Sequence, residues 1–352
     1  MGKKAGENMR QCLICKKRII DHYGICPECE KMNEAHRAIN ADLSGYTAVV
    51  TGGRINIGYS TCLRLLRNGA QVVAVTRFPY DAVGRYSAEP GFDDFKDRLH
   101  ICGFDLKRAD RMDELISYVK ETFPEGLDIL INNAAQTIRK APSYYAELAA
   151  AEERLKLEHF GELPAVILTD REKSGEIMLL SNDTDPALYE TPDHNSWVSK
   201  SDEISAAELI EVQLINVTAP FLLTAQLKSH MAKSVHKNRF VINVSSVEGR
   251  FNQKIKLARH VHTNMAKASL NMMTHSLAGE FAAERIFMYS VDPGWVSNQF
   301  PAEYEISKNF IPYLTYDDGA ARICAPIYEH MNDEKKPKDI GALYKDYKIM
   351  EY

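Results

Sequence analysis

The sequence has no apolar run approaching the twenty or so residues that cross a bilayer, so no membrane-spanning segment is expected. It also lacks an export signal. The start, Met1-Gly2-Lys3-Lys4-Ala5-Gly6, has no apolar core, and the glycine that acylation needs is not followed by Ser or Thr at the sixth position. These absences predict a cytoplasmic protein. There is no internal repeat and no low-complexity tract, which leaves no place for a repeat array or a compositional linker. Basic residues are not in excess. Forty-eight acidic against 43 basic side chains give a net charge of −5, so nucleic acid is not the expected partner. The early Lys3, Lys4, Arg10, Lys16, Lys17 and Arg18 read as a solvated basic face. The chain is 352 residues with 45% hydrophobic content, which allows one large α/β domain plus a small module.

Cysteine is scarce too, but four of the seven lie within the first thirty positions. They form Cys12-x2-Cys15 and Cys26-x2-Cys29, two short turns separated by ten residues, a spacing that sets four thiolates tetrahedrally around one Zn²⁺. Four thiolates leave no open coordination position, so the metal is structural. It substitutes for the core that about thirty residues cannot build. Pro27 suits the tight turn inside the second pair. His22 is a possible replacement ligand, though a solvated loop histidine is the better reading. Local disulfides are disfavoured in a reducing compartment. Residues 1–42 are read as a zinc-ribbon-like module with a linker helix. Cys62, Cys102 and Cys324 read as core residues.

From Tyr46 onward strand and helix patterns alternate, the mark of a parallel sheet covered on both faces. Strands are expected at Thr47–Val50, Gln71–Thr76, His100–Phe104, Leu127–Ile131, Arg239–Val244 and Phe287–Val291. Helices are expected at Ile57–Asn68, Ala109–Glu121, Ala206–Lys228 and Asn264–Ala283. A last helix, Asp317–His330, precedes a strand at Ala342–Lys345. Between the first strand and helix runs Thr51-Gly52-Gly53-Arg54-Ile55-Asn56-Ile57-Gly58. Such a turn lets backbone N–H groups approach a pyrophosphate at the positive helix end.

Further residues fall in register with that turn: Asp105-Leu106, Asn132-Asn133-Ala134-Ala135, Asn216, Ser245-Ser246, Lys267 and Pro293-Gly294. From about residue 44 to the C-terminus, this series resembles the short-chain dehydrogenase/reductase family. The resemblance implies a doubly wound, Rossmann-type sheet over 43–352. It also implies a cofactor site formed by Gly52, Arg54, Asn56, Ile57, Gly58, Arg77, Asp105, Leu106, Asn133, Ala134, Lys267, Pro293, Gly294 and Val296. Asn56 departs from the family's middle glycine, but asparagine tolerates positive φ best among the other residues. Arg77 ends the second strand where an NAD-selective member carries an acid. A guidanium there can pair with a 2′-phosphate, so NADP(H) is favoured over NAD(H). Arg54 adds a second positive charge.

The resemblance likewise places Asn216, Ser246, Thr263 and Lys267 at the catalytic positions: water holder, carbonyl orienter, proton donor and ribose-binding lysine. Thr263 stands where the family has tyrosine. An aliphatic alcohol is a far poorer acid than a phenol, so Thr263 is at most a relay, or simply the N-cap of a helix beginning near Asn264. His260, His262 and a water relay through Thr263 are the alternative proton sources. The expected activity is hydride transfer to or from a carbonyl, imine or conjugated small molecule. The alternative is a catalytically silent dinucleotide sensor or scaffold. A long insertion, about 136–205, includes Tyr144, Tyr145, a helical run from Ala146 to Lys156 and the loop Asp185–Trp197. It is read first as a lid over the substrate and second as an oligomer or zinc-module contact. The helices near Ala206–Lys228 and Asn264–Ala283 imply, by resemblance, a homo-oligomer.

Overall fold

A computed structural model describes residues 10–20, 24–140, 142–158, 165–168, 193–253, 256–297, 299–301, 303, 312–333 and 339–352. His22 and most of the Asp185–Trp197 loop lie outside them. The chain opens with a two-stranded antiparallel ribbon, β1 (Arg10–Gln11) and β2 (Ile19–Ile20), followed by α1 (Pro27–Arg37). Pro27 is the first residue of that helix, where its missing N–H costs nothing.

The main domain follows in strict alternation: β3 (Thr47–Thr51), α2 (Asn56–Arg67), β4 (Gln71–Thr76), α3 (Pro79–Ser87), β5 (Leu99–Gly103), α4 (Met112–Thr122) and β6 (Ile129–Asn132). The insertion supplies α5 (Pro142–Glu158) and β7 (Ala165–Ile167). Then come α6 (Ala206–Gln213), α7 (Ala219–Ala232), β8 (Arg239–Val244), α8 (Val261–Ala283), β9 (Ile286–Asp292), α9 (Tyr316–Asn332), β10 (Leu343–Lys345) and β11 (Lys348–Met350). The strands form one sheet in the order β11-β10-β9-β8-β6-β3-β4-β5-β7, parallel except for the β10–β11 hairpin. Right-handed crossovers demand helices on both faces, and alternate residues of each strand serve them. In β3, Val50 packs with Leu65, Leu66 and Ile323 of α2 and α9, whereas Val49 packs with Leu115, Leu223 and Phe281 of α4, α7 and α8. Burying each such side chain contributes about 1.5–3 kcal/mol.

Three expectations change. The long helix begins at Val261 rather than Asn264, because His260 holds the N-cap position in a left-handed conformation (φ 40°). Its backbone N–H donates to the Ser199 carbonyl at 3.0 Å and its ring stacks on Trp197 at 4.1 Å. Thr263 is therefore a first-turn residue and not the cap. The insertion, read first as a lid, lines the cleft through Tyr144, Tyr145 and Leu148 and also builds onto the sheet and α3. α5 lies on α3, and β7 extends the sheet beyond β5, while Asn195 and Trp197 contact Gln299 and His260. The reason lies in Glu152, whose buried carboxylate accepts the N–H groups of Tyr80 and Asp81 and so caps α3. Finally, the continuous helical stretch Ala206–Ala232, mean hydropathy 1.4 over its most apolar window, is long and apolar enough by composition to cross a membrane. Within this fold it packs against α4 and α8 and supplies buried Val212, Leu223 and Leu227 to the core.

Candidate cofactor cleft and proton-transfer site

The glycine-rich turn closes at the mouth of the sheet's C-terminal edge. Gly52 (φ 73°) and Asn56 (φ 55°) both adopt the left-handed region, so asparagine fills the conformational role of the family's middle glycine. A Cβ on Gly58 would lie 2.1 Å from the Gly52 carbonyl oxygen. That clearance is the cradle a bound pyrophosphate needs, with the N-terminus of α2 behind it. Asn133 pins the turn to the end of β6: its side-chain amide donates to the Thr51 carbonyl at 2.9 Å, and the Asn133 and Ala134 N–H groups donate to Thr51 Oγ1, each at 3.0 Å. Thr51 opens the glycine signature, but the sequence assigns it no role of its own, since that role depends on a strand about eighty residues away.

A cleft of 690 Å³ runs from this turn across the sheet edge. Its wall brings together Gly52, Arg54, Asn56, Ile57 and Gly58 from the turn, Arg77 from the end of β4, and Asp105 and Leu106 after β5. Asn133, Ala134 and Val296 complete the expected set on that wall. Arg77 lies over the rings of Tyr145 (5.3 Å) and Phe78 (5.6 Å), so α5 closes this end of the cleft. Arg54 is already engaged: it donates to Asp81 at 2.6 Å, and Asp81 also holds Arg85. These guanidinium groups keep the Asp81 carboxyl below its usual range despite the opposing effect of its burial.

Pro293, Gly294, Asn216, Ser246, Thr263 and Lys267 are absent from the wall of this cleft. Asn216 sits in a five-residue π-helical stretch between α6 and α7, Leu214–Thr218, and its amide brackets one peptide: Oδ1 accepts from Gln136 N at 2.8 Å and Nδ2 donates to Gln136 O at 2.9 Å. Lys267 donates from Nζ to the Val244 carbonyl at 2.8 Å. Burial pulls its pKa down to about 8, with nearby Asp292 opposing the shift. Ser246, half-buried, begins the turn two residues beyond Val244, and its Oγ accepts from Glu248 N at 3.1 Å. A Cβ on Gly249 would meet the Lys267 carbonyl carbon at 2.5 Å, so the serine turn lies directly on the lysine's helix. Asp292, another residue the sequence reading passed over, ties this turn to the next segment by accepting from Val247 N (2.7 Å) and Gly294 N (2.8 Å).

Beside Thr263 lies a buried acid and base pair. His262 Nε2 is 3.4 Å from Glu208 Oε1 of α6 and 3.4 Å from Thr263 Oγ1. His260, in contrast, donates from Nδ1 to the Trp197 carbonyl (2.8 Å), while its Nε2 is 3.7 Å from Glu248. The His260 and Lys256 contacts hold the Glu248 carboxyl down at about 2.

At the other end of the chain, the thiols of Cys12, Cys15, Cys26 and Cys29 all lie within 4.8 Å of one another. Cys26 N donates to Cys12 Sγ at 3.3 Å. Backbone N–H groups of Lys17 and Arg18 help pull the Cys15 thiol down to about 6. This donor set fits a tetrahedral soft metal. The other three cysteines are buried as expected, and burial raises the thiols of Cys62 and Cys324 to about 12.

A mostly parallel, doubly wound sheet with a glycine turn and a cleft at its C-terminal edge is the architecture of the Rossmann-type α/β folds. The family model for short chain dehydrogenase matches residues 46–180 and 191–308. An uncharacterised protein of Acanthamoeba polyphaga mimivirus is 32% identical over 91% of this chain and 72% of its own length. Glucose 1-dehydrogenase 2 of Bacillus subtilis is 25% identical over 73% of this chain and 74% of its own. Among solved structures, NADPH-bound carbonyl reductase from chicken fatty liver aligns with a TM-score of 0.59 at 19% identity, covering 88% of this chain and all of that one. The RhlG/NADP complex of Pseudomonas aeruginosa aligns at 0.58 and 19% identity, covering 86% and 94%. The chain belongs to the short-chain dehydrogenase family of oxidoreductases.

Proposed function

We propose that this protein is an NADP(H)-dependent oxidoreductase that moves a hydride to or from a carbonyl, imine or conjugated small molecule. The observation that carries the cofactor choice is Arg77, a guanidinium on the cleft wall where an NAD-selective site would present a carboxylate. Glu152 already caps the first N–H groups of α3, which leaves the recognition of a 2′-phosphate to side-chain cations. The NADP-bound solved structures of the same fold support the reading.

In this reading Gly52, Asn56, Ile57 and Gly58 cradle the pyrophosphate, Asp105 and Leu106 flank the adenine, and Asn133 and Ala134 lie at the ribose. Pro293, Gly294 and Val296 border the nicotinamide. The cofactor, when bound, supplies the hydride. Lys267 orients the nicotinamide ribose, Ser246 directs the acceptor oxygen, Asn216 fixes the Gln136 peptide beside them, and Thr263 occupies the tyrosine position as a relay. Cys12, Cys15, Cys26 and Cys29 hold one structural Zn²⁺ in the module of residues 1–42, and residues 43–352 form the catalytic domain. Exposed Phe221, Met265 and Met272 on α7 and α8 offer an apolar face for a homo-oligomer. A cytoplasmic, non-membrane setting with a small-molecule substrate suits this assembly.

The test is a fluorescence titration with NADPH and NADH. Arg77→Ala should weaken NADPH by about tenfold or more and NADH far less, because a charge-assisted hydrogen bond contributes about 1.5–3 kcal/mol. Equal losses for both nucleotides would remove Arg77 from the 2′-phosphate. Tight NADPH binding with no oxidation by any carbonyl would favour the silent sensor or scaffold instead.

A further inference from the structure

The buried pair of His262 and Glu208 has no structural partner that explains it. Their side chains are only 2% and 4% exposed. Neither Glu208 Oε1 nor His262 Nδ1 has a hydrogen-bond partner among the described residues. Burying such groups without full pairing costs several kcal/mol, a cost a merely structural contact between α6 and α8 does not offset. The pair also adjoins the hydroxyl of Thr263, the residue at the position of the family's phenol.

We infer that His262, held by Glu208, supplies the proton of the reaction through the Thr263 hydroxyl. This rests on the oxidoreductase reading above. In this scheme the acceptor's oxygen would meet Thr263 Oγ1, one helical turn before Lys267 and off the wall of the 690 Å³ cleft, which makes Thr263 the catalytic residue; His262 and Glu208 act through it. In the reducing direction the carbonyl carbon gains the hydride and the π-electron pair moves to oxygen. That oxygen takes the proton of Thr263 Oγ1, and the Thr263 O–H bond that breaks is remade with a proton from His262 Nε2. A protonated imidazole thereby becomes neutral and is recharged from solvent. An alcohol results, and oxidation runs the same path backward. Glu208 stabilises the imidazolium at 3.4 Å, which lets a poor acid act by handing on a proton it receives in the same step.

The neighbouring charges are otherwise committed. Glu211, one turn along α6, is engaged by Gln136 at 2.9 Å and lies near Lys107 and Arg139. Glu248 in the serine turn is held by Lys256 and His260. Lys267, one turn along α8, donates to Val244. Asp292, at the end of β9, faces Lys345 and the two backbone N–H groups already described. His260, stacked on Trp197 and bonded to its carbonyl, has no contact with Thr263 Oγ1 and is not the donor.

The experiment uses the full-length protein, NADPH, and cyclohexanone, benzil and cinnamaldehyde as acceptors. His262→Gln should lower kcat by about 10²-fold or more, abolish the alkaline limb of the pH profile in the range where imidazoles titrate, about pH 5 to 8, and leave NADPH affinity within about twofold. Free imidazole should restore part of the rate in His262→Ala. Thr263→Val should match the loss and Thr263→Ser should not, and these two variants carry the test if the histidine variants fold poorly. Glu208→Gln should lower kcat in the same direction while leaving KM and NADPH affinity within about twofold. His262→Gln turning over at the wild-type rate with an unchanged pH profile, or Thr263→Val at full rate, overturns the relay while leaving the oxidoreductase reading intact. Wild-type protein that binds NADPH but reduces none of the acceptors overturns both.

Discussion

Lys267 stores a pH dependence that can be read in stability as well as in rate. Its Nζ donates to the Val244 carbonyl, and burial holds its pKa near 8. An unfolded lysine titrates near 10.4. Between about pH 8 and pH 10.4 the unfolded chain therefore keeps a proton that the folded chain sheds, and stability gains with rising pH through that window. Below about pH 8 both states are protonated and the penalty is constant. Denaturant unfolding of wild type against Lys267→Met should show the difference shifting in favour of the wild type from pH 8 to 10. A flat difference would mean the folded lysine keeps its charge to high pH.

At the scale of the element, the glycine turn is the most constrained segment. Asn56 at φ 55° should accept Gly with little change, whereas Asn56→Val places a β-branched residue in a conformation that costs it roughly 1–2 kcal/mol. Gly58→Ala should be worse for binding, since its Cβ would stand 2.1 Å from the Gly52 oxygen. Calorimetry with NADPH should rank the three variants in that order, and full affinity in Gly58→Ala would deny the cradle. Such features were readable because their signals are local. The strands at Thr47–Thr51, Gln71–Thr76 and Arg239–Val244 are continuous apolar runs, and the turn announces itself by its glycines. β7 was missed because three residues on the sheet's edge acquire strand structure only from pairing with Ile101–Gly103. The start of α8 was misread because Thr263 is the better intrinsic cap, and only the remote Ser199 carbonyl and Trp197 ring make His260 the actual one. The pairing of His262 with Glu208 had no signal at all, being set by the crossing of two helices 54 positions apart in sequence.

For the whole molecule, the small cysteine module is not a loose appendage. α1 lies against α9: Arg37 pairs with Asp318, the buried Arg322 donates to Asn33 Oδ1 at 2.8 Å and to Asp346 at 3.0 Å, and His36 stacks on Tyr347 at 3.5 Å. Gly319, one turn into α9, packs against Ile57 and Val296 of the cofactor cleft. Protein purified without chelator should carry one zinc per chain, and chelation should melt α1 with a loss of helical circular dichroism, because the metal's binding energy is folding energy for so small a module. Metal analysis that finds no zinc would sink the ligand assignment.

The same docking bears on how the chain is made. Arg37 and Asp318 are 281 residues apart, so the knuckle leaves the ribosome long before the surface it rests on. At 5–20 residues per second that interval is roughly 15 to 55 s. During it, Asn33 lacks Arg322 and Arg37 has only Glu30 of its own helix, so the order of α1 rests on the four-thiol cluster. On the zinc assignment proposed above, metal supply would act while the chain is being synthesised, before the cleft is assembled, and a nascent chain starved of the ion would reach α9 with nothing prepared to lie against it.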